Sequence, residues 1–149
     1  SSDLVTFLSS KLYVIGGHSP DGALASIERY DTKQEKWTSL KSMNFPRFLL
    51  RACAIDGLVY VVGGRNNERS LDTIEVFDPK AKSWTILNEK MQASRNDFGL
   101  VTRDNQIFCI GGRGVKSIEC FDVVAKQWKN VGSTGENNFS MSCVFYLPF

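Results

Sequence analysis

Short apolar runs recur along the chain and stop at paired glycines: LYVIGG at 12–17, VYVVGG at 59–64 and IFCIGG at 107–112. The runs are rich in Val, Ile, Tyr, Phe and Thr and carry no helical period, so they predict strands. The pairs Gly16-Gly17, Gly63-Gly64 and Gly111-Gly112 lie 47 and 48 residues apart. A second strand-like segment follows each: SIERYD, TIEVFD and SIECFD. These segments align Glu28, Glu75 and Glu119, then Tyr30, Phe77 and Phe121, then Asp31, Asp78 and Asp122. A tryptophan stands seven residues beyond each aromatic, at Trp37, Trp84 and Trp128. In two repeats a methionine precedes an arginine by four residues, and the arginine precedes the glycine pair by sixteen: Met43 with Arg47, Met91 with Arg95.

Each repeat predicts four short strands. In the second, strand A covers about 49–55, Asp56-Gly57 turns the chain, strand B covers about 58–63 and strand C about 73–77. DPKAKS then turns the chain into strand D around Trp84. Four-stranded antiparallel units at a period near fifty are the mark of an all-β fold, the β-propeller. The expected blades are about 3–41, 48–88 and 97–131, with one more innermost-type strand at about 139–147.

The order of apolar run, Gly-Gly, Glu-x-aromatic-Asp and Trp resembles the kelch repeat over essentially the whole chain. The Met-x-x-x-Arg step and IDGLVYVVGG are most similar to the kelch domain of proteins that carry BTB and BACK domains ahead of it. The resemblance implies a six-bladed ring, of which three blades and an extra strand are half. Two apolar blade faces and the central channel would then be open, and large exposed apolar patches are unusual in soluble monomers. The expectation is a homodimer of half-propellers or a fragment of a longer propeller. The start, SSDLVTFLSSKLYV, has no basic, long-apolar signal character and reads as the interior of a longer chain. The resemblance also implies that each glycine pair packs beside an aromatic such as the repeat's tryptophan.

Composition narrows the function classes. The chain has 149 residues, 42% hydrophobic and 23% charged, with a formal net charge of +2. That is a soluble globular profile with no electrostatic case for nucleic acid or a membrane surface. No apolar run is long enough to span a bilayer. Cys53, Cys109, Cys120 and Cys143 form no CxxC pair and sit in apolar runs, so buried free thiols in a reducing cytoplasm are expected. With His18 the one histidine, no metal site and no cofactor is expected. Asn138-Phe139-Ser140 fits a glycosylation acceptor pattern but lacks a secretory context.

Candidate function lies in loops, because the strands are committed to packing. The B–C loops are 18–26, 65–73 and the shorter 113–117; the D–A loops include 42–48, 90–97 and 132–138. In the family these share the face that binds a partner. The candidate contact residues are His18, Arg47, Arg65, Asn66, Arg95, Asn96 and Arg113, with Arg69 on the same rim. Arginine's planar donor array suits carboxylates, so the partner is expected to be a protein or peptide of acidic character. The alternative for Arg47 and Arg95 is that they brace neighbouring blades, being part of the repeat itself. Offset from Cys143 places Asn137 where a third such arginine would stand. The glycines at 16, 17, 63, 64, 111 and 112, the aromatics Tyr30, Phe77 and Phe121, and the three tryptophans are read as architecture.

By resemblance, the chain is a protein-interaction module, the substrate-recognition part of a cullin-type ubiquitin ligase adaptor. The cullin would be engaged through a BTB domain absent from this sequence. The alternative is an actin-binding scaffold. An enzyme is not expected: a copper oxidase of the kelch fold needs several imidazoles, Glu28, Glu75 and Glu119 fall one per blade, and GGRGVK lacks the Walker spacing.

Overall fold

The computed structural model describes residues 4–136. The first sheet has the order β1 (Leu4–Leu8), β2 (Lys11–Ile15), β5 (Ile27–Asp31), β6 (Lys36–Ser39). A small hairpin, β3 (His18–Ser19) and β4 (Gly22–Ala23), projects between β2 and β5. The second sheet joins β7 (Arg51–Ile55), β8 (Leu58–Val62), β9 (Ile74–Asp78) and β10 (Ser83–Ile86) in chain order. The third joins β11 (Gly99–Arg103), β12 (Gln106–Ile110), β13 (Ser117–Asp122) and β14 (Gln127–Ser133). Every pairing is antiparallel, and β7 lies against both β1 and β11. The first strand of each sheet is therefore innermost, as in propeller blades. The strand expected at 139–147, together with Asn137 and Cys143, lies outside the described residues.

Local chemistry sets the turns. Asp56 and Gly57 take φ of +50° and +78°, joining Ile55 to its partner Leu58 in a two-residue hairpin. The aspartate after each aromatic closes the next turn. Asp31 accepts from the N–H groups of Lys33 and Gln34, Asp78 from Lys80 and Ala81, and Asp122 from Val124 and Ala125. Strand A of the second blade starts at Arg51 rather than 49, because Leu49 is left-handed at φ +52° and ends the linker; Asp97 does the same at +55°.

The core lies in the seams between blades. β8 is apolar without alternation because both its faces are covered. Val59 and Val61 enter the first seam with Tyr13, Ile15, Ile27 and Phe77. Tyr60 and Val62 enter the second with Ile74, Phe98, Ile107 and Phe121. Met43 and Met91 fill equivalent places in the two seams. Each aromatic packs on its tryptophan across the outer strands, with ring centroids 5.0–5.1 Å apart. Trp84 Nε1 donates to the Lys41 carbonyl at 2.5 Å, and Trp128 Nε1 to that of Glu89 at 3.4 Å, so these two tryptophans grip the preceding linker. Trp37 is 52% exposed on the open face of the first blade, where Val5 and Phe7 are exposed as well.

One arginine staples each seam. The Arg47 carbonyl accepts from Gly17 N of the first blade at 3.0 Å. Its guanidinium donates to the second blade, to Gly63 O at 2.9 Å and Glu75 Oε1 at 2.7 Å. Glu75 accepts further from Asn44 N, Asn44 Nδ2 and Phe45 N. Arg95 repeats the pattern: its carbonyl accepts from Gly64 N, and its side chain donates to Gly111 O, Ser117 and Glu119. Arg47 and Arg95 are 0% exposed. Burial pulls the Arg47 guanidinium below its ordinary pKa, and Glu75 opposes that shift. Glu28 holds the equivalent place on the first blade but is exposed, and accepts from Ser39 Oγ at 3.4 Å.

This staple corrects the expected role of the glycines. A Cβ on Gly16 would collide with the Arg47 carbonyl and lie 2.7 Å from Leu50, and one on Gly63 would lie 2.7 Å from the Arg95 carbonyl and 3.0 Å from Phe98. Gly63 does pack beside an aromatic, but it is Phe98 of the next blade and not the repeat's tryptophan, and at Gly16 the equivalent neighbour is Leu50; the linker backbone is close to both.

Cys53, Cys109 and Cys120 are free and buried. Burial pushes the Cys53 thiol up to about 12 and raises the other two as well, so none is a ready nucleophile.

Removing Arg47 takes the guanidinium partner from the buried Glu75 side chain. Arg47→Met is expected to cost about 3–5 kcal/mol in urea unfolding; a loss below about 1 kcal/mol would show that the staple contributes only packing. In the first blade's C–D turn, the Lys11 hydrogen bond, then the N–H groups of Gln34 and Lys33, lower Asp31 from 3.8 to about 2. Its contribution is therefore complete above about pH 4 and lost as pH falls through the folded value. NMR titration of Asp31 should show a midpoint near 2, and Lys11→Met should move it upward towards 3.8.

Candidate partner-binding face

The hairpin β3–β4 and the two following loops bring side chains together that are far apart in sequence. Backbone bonds pair Phe48 with Arg65 in both directions, N to O at 2.9 and 2.8 Å. That bridge sets the Phe48 ring beneath the Arg65 guanidinium carbon, 5.7 Å from the ring centroid. The exposed His18 ring meets Phe48 edge-on at 4.8 Å. A histidine, an aromatic and an arginine from three loops thus form one cluster over the first seam. Arg65 Nε donates to Asn66 O at 3.4 Å. Cation–π contact stabilises a guanidinium held over an aromatic ring.

The loops carrying this cluster are braced. Asn67 Oδ1 accepts from Ala23 N at 2.9 Å, tying the second blade's loop to the first blade's hairpin. Gly22 makes room, since a Cβ there would collide with the Asn67 amide. Asn66 Oδ1 accepts from Glu68 N and Arg69 N and so closes its own loop.

The seven candidates therefore separate. His18 and Arg65 sit together in the cluster. Arg113 is exposed on the same side, with Nη2 3.4 Å from Asp97 Oδ2. Asn66 spends its side-chain oxygen on the loop turn. Asn96 is buried, donates to Ser70 Oγ at 2.6 Å, and so braces the loop. Arg47 and Arg95, expected on the contact rim, are enclosed in the seams; their carboxylate partners Glu75 and Glu119 belong to this chain. Phe48 was missed, although it follows Arg47 directly in a D–A loop. Its equivalent after Arg95 is Asn96, so the repeat phase carried no aromatic signal there.

Among the described residues, no group of three or more His, Cys, Asp or Glu side chains is placed to hold a metal ion. Nor is any helix long and apolar enough to cross a membrane.

The geometry agrees with what the chain resembles. Residues 2–145 match the KLHDC2/KLHL20/DRC7 Kelch-repeats domain. No individually curated protein is significantly similar. Among solved structures, that described as "Structure of YjhT" superposes with a TM-score of 0.77 at 19% identity. The alignment covers 90% of this chain and 52% of that one, so this chain spans about half its length. With blades, seam geometry and sequence match in agreement, the chain belongs to the kelch-repeat family, whose propellers serve in general as protein-interaction modules.

Proposed function

We propose that the loop face built around His18, Phe48 and Arg65 captures an acidic segment of a protein partner. The observation that carries this reading is the convergence of these three side chains, on braced loops, over one seam. Arg69 and Arg113 are exposed in the B–C loops of the second and third blades. An aromatic flanked by guanidinium groups can bind a carboxylate and the apolar residue next to it at once. The finer reading is substrate recognition for a cullin-type ubiquitin ligase, with the cullin engaged by a BTB domain outside this sequence. The kelch match supports that reading.

Closure of the blade array belongs to the same proposal. The open first-blade face carries exposed Val5, Phe7 and Trp37, and Glu28 lacks the arginine that Glu75 and Glu119 have. We assign that face to further blades, from a longer chain or a second copy. Light scattering of this 149-residue chain at high concentration separates the two: a doubled mass is expected for a pair of half-rings, and a single mass removes the second copy.

Selection from a random peptide library should enrich sequences bearing Asp or Glu. Arg65→Glu is expected to weaken the selected peptides at least tenfold, about 1.4 kcal/mol, with an unchanged melting temperature. Arg113→Glu should weaken them less, because Arg113 is farther from the cluster and already faces Asp97. Equal binding by wild type and Arg65→Glu would remove the loop-face reading.

A further inference from the structure

The two seams open at their outer margins into matching clefts. In the second seam, Val76, Thr85 and Leu87 face Phe121, Val123 and Lys126. In the first, Arg29, Thr38 and Leu40 face Phe77, Pro79 and Lys82, around a volume of about 290 Å³. The repeat makes these sets position-by-position equivalents, so each cleft is a control for the other. One difference changes the chemistry: Arg29 stands where the second blade has Val76 and the third has Cys120.

Arg29 Nε is buried and has no hydrogen-bond partner; the same holds for Nε of the staple arginines Arg47 and Arg95, whose terminal nitrogens are bonded within the seams. A buried donor without an acceptor is unfavourable. The equivalent valine shows that this position needs only an apolar side chain for packing. Lys41 lines the same cleft, so three cationic side chains converge there with no carboxylate among the lining residues. The acids on the adjoining strands are engaged elsewhere. Asp31 is paired with Lys11 at 2.6 Å, and Asp78 accepts from the backbone of Lys80 and Ala81. Glu28 does not line the cleft itself; its carboxylate is exposed and accepts from Ser39 Oγ, a lining residue, at 3.4 Å.

We propose that this cleft binds a phosphate dianion, free or as a monoester, with Arg29 as the donor array and Lys41 and Lys82 neutralising its charge. A phosphoryl group brings close to two negative charges and three acceptor oxygens, which match three cations better than a single carboxylate does. Arginine's planar donors suit phosphate oxygens, while the lysines act as point charges. Thr38, paired with Arg29 across β5 and β6, adds a hydroxyl at the cleft wall. The phosphoryl group can be carried by a side chain of a partner protein or by free phosphate. This site is separate from the loop face and does not depend on its reading.

The test uses the whole 149-residue chain, ¹⁵N-labelled and observed through its arginine Nε–H resonances. Titration with inorganic phosphate, and separately with a short O-phosphoserine peptide, should shift the Arg29 resonance saturably. The exposed Arg103 should not respond. Acetate at equal ionic strength should bind at least tenfold more weakly. Arg29→Val, which installs the residue of the twin cleft, should abolish binding and keep the fold; Arg29→Gln provides the same reading should valine perturb the seam. Lys82→Ala should weaken binding severalfold. Tighter binding of the peptide assigns the phosphoryl group to a modified partner, and equal affinity assigns it to free phosphate. An Arg29 resonance unmoved by both probes, acetate binding as tight as phosphate, or undiminished binding by both Arg29 variants overturns the proposal.

Discussion

The arrangement of the blades depends on a single residue type placed in the linker between them. Arg47 belongs to neither sheet, yet its carbonyl is fixed by the first blade and its guanidinium by the second. Apolar packing drives the seam together but is non-directional, so it tolerates sliding. The staple does not: its bonds to Gly63 O, Thr73 and Glu75 form only at one relative placement of the blades. A buried ion pair gains little against an apolar replacement, because desolvation offsets the Coulombic attraction. We therefore attribute to it the choice of geometry more than the stability of the seam. Arg95 and Glu119 make the same choice at the next boundary.

Much of this was legible in the chain because it is repeated. The glycine pairs, the Asp56-Gly57 hairpin and the aspartates that cap the C–D turns each act through their immediate neighbours, so local pattern suffices. The shared phase of Met43 with Arg47 and Met91 with Arg95 also marked the linkers as architectural. What pattern could not settle was the side of the surface on which each arginine lies. Arginine is usually exposed, and its burial here depends on Glu75 and Glu119, 28 and 24 residues further along. The neighbours of the glycine pairs were hidden for the same reason. Leu50 and Phe98 reach them from the next blade, a contact that no spacing within one repeat encodes. Phe48 was invisible because the other repeat has Asn96 there.

The departures from the repeat are where chemistry gathers. Positions alike in all the repeats make turns, ladders and seams. His18 on its extra hairpin, Phe48 in place of an asparagine, and Arg29 in place of Val76 have no counterpart in the other repeats. His18 and Phe48 meet in the loop cluster, and Arg29 brings a cation to the cleft of the first seam. In a fold that hosts many functions, this asymmetry separates site from scaffold more sharply than residue type does. The tryptophans show the converse. They look like a stacking platform, but Trp84 and Trp128 spend their N–H groups on the preceding linker.

Scaffold and site are nonetheless coupled through adjacent residues. Arg47 and Phe48 are neighbours in the chain, and the Phe48 backbone is bonded in both directions to Arg65. The buried guanidinium therefore sets the position from which the exposed aromatic and the Arg65 above it are presented. Binding groups held in place before the partner arrives lose less freedom on association. On the loop-face proposal, Arg47 touches no partner itself but governs affinity by positioning Phe48 and Arg65. Weaker binding on its removal would report displacement of Phe48 and Arg65 rather than loss of a contact. The charge of the partner should separate the two cases: truncating Arg65 removes the preference for acidic segments, whereas displacing it through Arg47 lowers affinity while the preference persists.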